Sequence, residues 1–134
     1  MSGGLERRSG AFAPGHVTGI FRPDAESHDP RGRGSVGAGV VLELGAWAEA
    51  CFTPGPARRV RLTGDGPGPW PISEDVARRL ASRLSGTVTV RLAHELPVGQ
   101  GFGMSAAGAL ATALAVGTLA GVPYRPVVSC RGGI

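Results

Sequence analysis

The chain has 134 residues, of which 42% are hydrophobic and 18% charged, so it is long enough for one globular domain and too hydrophobic to be disordered. All 14 basic residues are arginine; against ten acidic residues they give a net charge of +4. These arginines are spread along the sequence, mostly without aromatic neighbours, which argues against a nucleic-acid partner and is compatible with a small anionic ligand.

The N-terminal third predicts one interrupted strand. Residues 1–9 predict a flexible tail without the apolar run of a secretory signal. Residues 11–21 predict a strand that breaks at Pro14-Gly15, and the polar segment from Asp24 to Gly34 predicts a loop.

The middle of the chain predicts three further strands. Residues 37–52 read as two short strands that meet near Gly45. Alternation of apolar and polar residues predicts a half-buried strand over 59–63, and three prolines make 64–71 a loop.

The C-terminal half predicts a helix, a strand, a loop and a second helix. Ser73 is a candidate N-cap, and apolar residues at every fourth position predict a helix that ends at Gly86. Residues 87–92 alternate as a strand, and 105–120 predict an apolar helix that stops at Gly121.

This order of elements predicts an α+β fold, a two-layer α/β sandwich with its helices against one sheet. Residues 10–122 form the predicted domain, and 123–134 have no strong pattern, as expected of an end that is either truncated or shifted out of frame. The uncharged stretch 96–124 is broken by proline and glycine in its first third, and its helical remainder is shorter than the roughly 20 strongly apolar residues that a membrane span needs. We therefore expect no membrane partner and a cytoplasmic location.

A glycine-rich segment from Leu96 to Ser105, L-P-V-G-Q-G-F-G-M-S, lies between a predicted strand and a predicted helix; we call it the glycine loop. Glycine at every second position lets backbone N–H groups approach a ligand without side-chain interference. The helix start adds unpaired N–H donors and the positive end of the dipole, so the segment predicts a phosphate site. The Ser105 hydroxyl would cap the helix or contact a phosphate oxygen or Mg²⁺. An ordinary tight turn with an N-cap serine is the simpler alternative.

Other motifs of phosphate or metal binding fail in this sequence. A P-loop needs a lysine, and the chain has none. The dinucleotide pattern G-x-G-x-x-A fits from Gly101 to Ala106, but it needs an acidic residue about twenty positions later, and Glu95 is the last acidic residue of the chain. The zinc motif H-E-x-x-H fails because Val98 stands where its second histidine belongs.

Three segments together resemble the GHMP kinases, the superfamily that includes galactokinase, homoserine kinase and mevalonate kinase. They are P-G-H-V-T-G-I-F from Pro14 to Phe21, G-S-V-G-A-G from Gly34 to Gly39, and the glycine loop. Their order and spacing are similar to one branch, the archaeal-type pantoate kinases. The resemblance implies the N-terminal domain of that fold, truncated before the C-terminal domain, and transfer of phosphate from ATP to pantoate in coenzyme A biosynthesis.

The resemblance also implies roles for individual residues. The triphosphate of ATP would be held by the glycine loop and the helix start: Pro97, Gly99, Gln100, Gly101, Phe102, Gly103, Ser105 and Ala106. Ser105 would also meet Mg²⁺. The hydroxy-acid substrate would lie beside residues of the two earlier motifs: His16, Thr18, Ser35 and Gly37. The full-length protein would be a candidate homodimer.

The catalytic carboxylates that the resemblance implies have no counterpart after Glu95, so the catalytic residues are unknown. We therefore expect the isolated chain to lack significant kinase activity and to bind ATP weakly. The alternative hypothesis is a non-catalytic nucleotide- or RNA-binding α/β module.

Overall fold

The computed structural model describes residues 5–24, 26–66 and 68–123. In these residues two helices pack against one face of a four-stranded sheet, which confirms the predicted α+β, two-layer architecture. The strands are β1 (Arg7–Asp24), β2 (Gly34–Pro54), β3 (Arg59–Gly64) and β4 (Gly86–His94), and a 3-10 turn (Pro30–Gly32) joins β1 to β2. The helices are α1 (Pro71–Ala81) and α2 (Met104–Leu119).

The strand order is β1-β2-β4-β3, with β3 parallel to β4 and the other pairs antiparallel. Helix α1 provides the crossover between the two parallel strands, as parallel neighbours require. Helix α2 follows β4 through the glycine loop and packs against β1, β2 and α1. The sheet therefore supports α2 along its length and fixes where its first turn lies.

The core between sheet and helices is built from small side chains. Alternate residues Val88, Val90 and Leu92 of β4 are buried, as the period-two pattern predicts. Strand β2 contributes Ala46, Ala48 and Ala50, which face a helix whose buried residues are themselves mostly alanine, glycine and valine. Because these side chains are short, the backbone of α2 can approach the sheet closely.

Strand β1 differs from its prediction at two places, its first residue and the segment Pro14-Gly15. It begins at Arg7, so the predicted tail is wrong for residues 7–9. The break at Pro14-Gly15 is a shift of register within one strand, since Pro14 pairs with Gly45 and His16 pairs with Val41. A bulge accommodates the proline without ending the strand.

Strand β2 is one continuous strand of 21 residues, so the prediction of two short strands meeting near Gly45 is wrong. Gly45 is buried against β1, and a Cβ there would collide with the carbonyl oxygen of Ala13 and the Cα of Pro14. The glycine is needed for close approach of two backbones.

Helix α1 also differs from its prediction at both ends. Its N-cap is Trp70 and its first residue is Pro71, whose fixed φ suits the first helical position. Ser73 therefore lies inside the first turn, buried to 4% exposure, and is not the cap. The helix ends at Ala81, and Gly86 begins β4.

The predictions of no membrane span and of an irregular C-terminal end can be compared with the described residues only. None of the described helices is long and apolar enough to cross a bilayer. The irregular end predicted for 123–134 lies outside the described residues except for Pro123, so it remains a prediction.

We expect Gly45→Ala to destabilise the domain, because the added methyl group has no space between β1 and β2. Overpacking of this kind costs about 1–3 kcal/mol of unfolding free energy, measurable by urea denaturation. Gly55→Ala is the matched control, since nothing lies within 4 Å of a Cβ at that position. Equal stability of the two variants would contradict the close-approach explanation.

Candidate functional site

Three glycines of the glycine loop adopt the left-handed conformation that other residues rarely adopt. The φ angles are 77° at Gly99, 84° at Gly101 and 65° at Gly103. No described atom lies within 4 Å of a Cβ built on Gly99 or Gly101, so the backbone there is open to a ligand. The alternation of glycine in the sequence is therefore explained by backbone conformation.

The loop leads directly into an uncapped helix N-terminus. Gly103 is the N-cap of α2, and it has no side chain with which to satisfy the helix. The first intrahelical hydrogen bond runs from the N–H of Ala107 to the carbonyl of Gly103, at 2.9 Å. The N–H groups of Met104, Ser105 and Ala106 consequently have no carbonyl partner in the helix, and the dipole makes this end positive. Such an end binds anions.

Ser105 is exposed, and the N-cap of α2 is Gly103, so the prediction that Ser105 caps the helix is wrong. Ala106 beside it is exposed as well. Both are therefore accessible to a ligand at the helix start, as is Gln100 in the loop.

The end of the glycine loop rests on the first motif of the sequence. The N–H of His16 donates to the carbonyl of Phe102 at 3.0 Å. The imidazole of His16 lies against Gly103, where a Cβ would collide with it. Gly15 leaves room for Met104, whose buried side chain fills the space below the loop. Residues 102–104 therefore pack against β1 at its register shift.

The start of the glycine loop is fastened to β2 by Glu95. Its backbone N–H donates to the carbonyl of Gly45 at 2.9 Å. Its carboxylate accepts from the N–H of Gly45 and from the indole Nε1–H of Trp47, each at 3.1 Å. Glu95 is therefore a positioning residue for the loop, a role that the failed zinc motif did not indicate.

The four predicted substrate residues lie on one face of the β1–β2 pair, but they are not brought together. On β2, residues 35, 37, 39 and 41 share a face, and they pair with Pro23, Phe21, Thr18 and His16 in turn. Ser35 is six positions from the partner of His16, roughly 20 Å along the strand. His16 contacts the glycine loop, through its backbone N–H to Phe102 and through its ring against Gly103.

Gly37 has a structural explanation of its own, independent of any substrate. A Cβ at Gly37 would collide with the carbonyl oxygen of Ile20 and press against Phe21 across the strand pair. The glycine therefore lets the two strands pack closely, as Gly45 does nearer the core.

A cavity of about 130 Å³ adjoins the start of α2, between the loop before α1 and the end of β4. Its walls are mainly apolar and include Trp70, Ile72 and Val98, with the residues Ser73, His94 and Ser105 adding polar atoms. Sequence reasoning missed this cavity, because its wall comes from segments about thirty residues apart. The only local signal was an aromatic residue within a proline-rich loop.

His94, one of the residues that line this cavity, is hydrogen-bonded to the exposed carboxylate of Asp65. His94 donates through its backbone N–H to Asp65 Oδ2 at 2.8 Å, and its Nδ1 lies 3.0 Å from Asp65 Oδ1. The imidazole is 5% exposed. Burial opposes ionisation of Asp65, but the hydrogen bonds from the His94 side chain and backbone outweigh it and lower the pKa of Asp65 below its ordinary value of 3.8.

No group of three or more histidine, cysteine, aspartate or glutamate side chains in the described ranges could hold a metal ion. The nearest carboxylate to the loop in sequence, that of Glu95, is engaged by β2. Ser105 is thus the candidate metal contact that the described part of the site offers.

We expect Glu95→Ala to loosen the glycine loop while leaving the core in place. A hydrogen bond to a charged group contributes about 1.5–3 kcal/mol, so amide hydrogen exchange at residues 96–103 should accelerate about tenfold or more. Glu95→Gln is the control, because its amide oxygen can accept the same two hydrogen bonds. Unchanged exchange in Glu95→Ala would show that the carboxylate does not hold the loop.

The lowered pKa of Asp65 predicts a pH-dependent part of the stability. Because the folded-state pKa lies below the ordinary value of 3.8, the ionised carboxylate stabilises the fold. This contribution is fully present above that value and is lost as the pH falls through the lowered pKa. The urea unfolding midpoints of the wild type and of Asp65→Asn should therefore converge as the pH falls through the lowered pKa of Asp65. Parallel curves down to the lowest pH would contradict the assignment.

The comparisons with known proteins agree with this geometry. Residues 72–128 match the family model of the GHMP kinases N terminal domain. The chain is 33% identical over 111 residues to a pantoate kinase of Methanospirillum hungatei JF-1, with 81% of this chain and 38% of the relative covered. It is 36% identical over 117 residues to a pantoate kinase of Thermococcus kodakarensis, with 79% and 37% covered.

One solved structure, a phosphotransferase related to the CoA biosynthesis pathway, aligns with a TM-score of 0.77 at 36% identity. The alignment covers 86% of this chain and 41% of that one. The chain thus spans about two fifths of the length of each of these relatives. By its family match, its fold and these relatives, the chain carries the fold of the N-terminal domain of the GHMP kinases.

Proposed function

We propose that this chain binds ATP on the glycine loop and supplies the nucleotide-binding part of an enzyme that phosphorylates pantoate. The observation that carries the proposal is the run of three left-handed glycines leading into an uncapped helix start. This arrangement presents several N–H donors and the positive end of a helix to one anion. Two relatives that are about one third identical to the chain bear the name pantoate kinase.

The cavity beside Ser105 suits the base of the nucleotide. Its apolar walls and the indole of Trp70 match an aromatic base, and its polar atoms are few. Val98 and Ser105 belong both to the glycine loop and to the cavity wall. A base in the cavity would therefore place its phosphates on the loop.

Mg²⁺ is part of the proposal as the usual partner of a transferred phosphate. The described residues fit a triphosphate better than they fit the metal, since Ser105 offers one oxygen and carboxylates are needed as well. The metal would neutralise charge on the phosphates. Ser105 would orient the bound nucleotide at the helix start.

The acceptor side of the site is proposed around His16 and Thr18, with Ser35 and Gly37 remaining predictions. His16 touches the glycine loop, so a hydroxyl held beside it would lie near a bound phosphate. We infer that residues other than the described ones complete the acceptor-binding site and supply the catalytic carboxylates.

Purified chain with ATP, Mg²⁺ and pantoate is expected to give no measurable 4-phosphopantoate. A cytoplasmic location and a full-length homodimer remain expectations.

RNA binding remains the second candidate function, because the sheet gathers arginines that are scattered in the sequence. Arg8, Arg61 and Arg91 lie on the face opposite the helices, and Arg8 and Arg91 line an open depression of about 480 Å³ there. The rings of Phe12 and Trp47, whose centroids are 4.8 Å apart and whose planes are tilted by 48°, lie on the same face. Basic side chains with aromatic neighbours are typical of single-strand binding surfaces.

We expect Gly103→Ala to lower ATP affinity at least tenfold, because its φ of 65° disfavours a side chain and the methyl group would displace His16. Gly121→Ala is the matched control: its φ is 70°, but it lies at the far end of α2 in open space. Isothermal titration calorimetry with ATP measures the affinity of both variants.

The same titration with single-stranded RNA separates the two candidate functions. RNA bound by the open sheet face would be released by salt and would not respond to Gly103→Ala. ATP binding that is equally affected in the Gly103 and Gly121 variants would contradict a phosphate site on the loop.

A further inference from the structure

The Asp65–His94 pair fixes which nitrogen of the imidazole carries the proton. Asp65 is ionised at neutral pH, because its pKa is lowered, and an ionised carboxylate only accepts hydrogen bonds. One carboxylate oxygen takes the backbone N–H of His94, and the other lies 3.0 Å from Nδ1. Nδ1 therefore carries the hydrogen. In the neutral ring Nε2 is then a hydrogen-bond acceptor.

The acceptor nitrogen lies toward the first turns of α2, at a position without a side chain. A Cβ on Gly108 would lie 3.2 Å from His94 Nε2 and 3.6 Å from Ser73 Oγ. Ser73 is 4% exposed, and the His94 side chain is 5% exposed. Within the described ranges the imidazole forms its side-chain hydrogen bond through Nδ1 alone. His94 and Ser73 both line the cavity that Ser105 also lines.

We propose that Asp65 and His94 select purines with a 6-amino group over purines with a 6-oxo group. The inference rests on the proposed function, since it needs the base of the nucleotide in this cavity. Adenine presents an amino donor at position 6, whereas a 6-oxo purine presents an acceptor there. Because Asp65 keeps the proton on Nδ1, Nε2 can accept a hydrogen bond from the 6-amino group of adenine. It would repel the oxygen of a 6-oxo purine.

A purely structural pair would have a different consequence. Asp65 follows β3 and His94 ends β4, so their hydrogen bonds also join two neighbouring strands. In that case the pair would affect the stability of the domain and the affinity for every nucleotide alike. Only a pair that presents an acceptor to the base would change the ratio of affinities between two bases.

The test compares ATP with inosine triphosphate, which carries a 6-oxo group in place of the amino group. Wild type is expected to bind ATP about tenfold to a hundredfold more tightly, the discrimination given by a matched hydrogen-bond pattern on a base. In Asp65→Asn the amide oxygen still accepts the backbone N–H of His94, and the amide nitrogen donates to Nδ1. The proton then moves to Nε2, which becomes a donor, and the preference should reverse toward inosine triphosphate.

The ratio of the two dissociation constants is read within each variant, so a general loss of stability cancels. His94→Phe keeps an aromatic ring without the acceptor and is expected to bind both nucleotides equally. Nitrogen-15 NMR of the imidazole should show the Nδ1–H tautomer in wild type and the Nε2–H tautomer in Asp65→Asn.

Each outcome decides the matter. Equal binding of the two nucleotides by wild type overturns the inference and leaves the proposed function standing. An Asp65→Asn variant that keeps the preference for ATP, or a wild-type ring protonated at Nε2, also overturns it. Wild type that binds neither nucleotide at millimolar concentration overturns the proposed function and the inference with it.

Discussion

The site depends on the glycine loop being held at both of its ends. Three hydrogen bonds between Glu95 and β2 hold the start of the loop. Near its end, the backbone N–H of His16 donates a hydrogen bond to the carbonyl of Phe102. Between these points lie residues with left-handed glycines, a segment with unusually many accessible conformations when unfolded. Fixing the ends of the loop removes much of that freedom before any ligand binds. The entropic cost of binding is then lower, and the affinity for the ligand is higher.

The position of the loop in turn depends on the short side chains of the core. Helix α2 can lie close to β2 because Ala46, Ala48 and Ala50 face its own alanines and glycines. A larger residue at any of these positions would lift the helix and move its first turn away from His16. The shift of register in β1 serves the same end, because it places the Gly15 backbone against Met104.

The sequence predicted what depends on nearby residues and missed what depends on contacts between distant ones. The glycine loop and the alternation of β4 were predictable, since a left-handed backbone and a two-residue period leave local signatures. The sequence suggests a strand end at Gly45, because Ala13 and Pro14, against which its backbone packs, are distant in sequence. Ser73 looked like a cap, but Trp70 and Pro71 start the helix earlier and bury the serine.

If ATP binds as proposed, the order of the strands fixes its direction. The cavity with His94 lies at the end of β4, and His16 lies on β1, with β2 between them. The first turn of α2 and the glycine loop bridge this distance, since the loop is fastened beside β2 and rests on β1. A base near His94 therefore directs its phosphates across the sheet toward β1. The phosphate to be transferred would face the β1–β2 pair, where the predicted acceptor residues His16 and Thr18 lie.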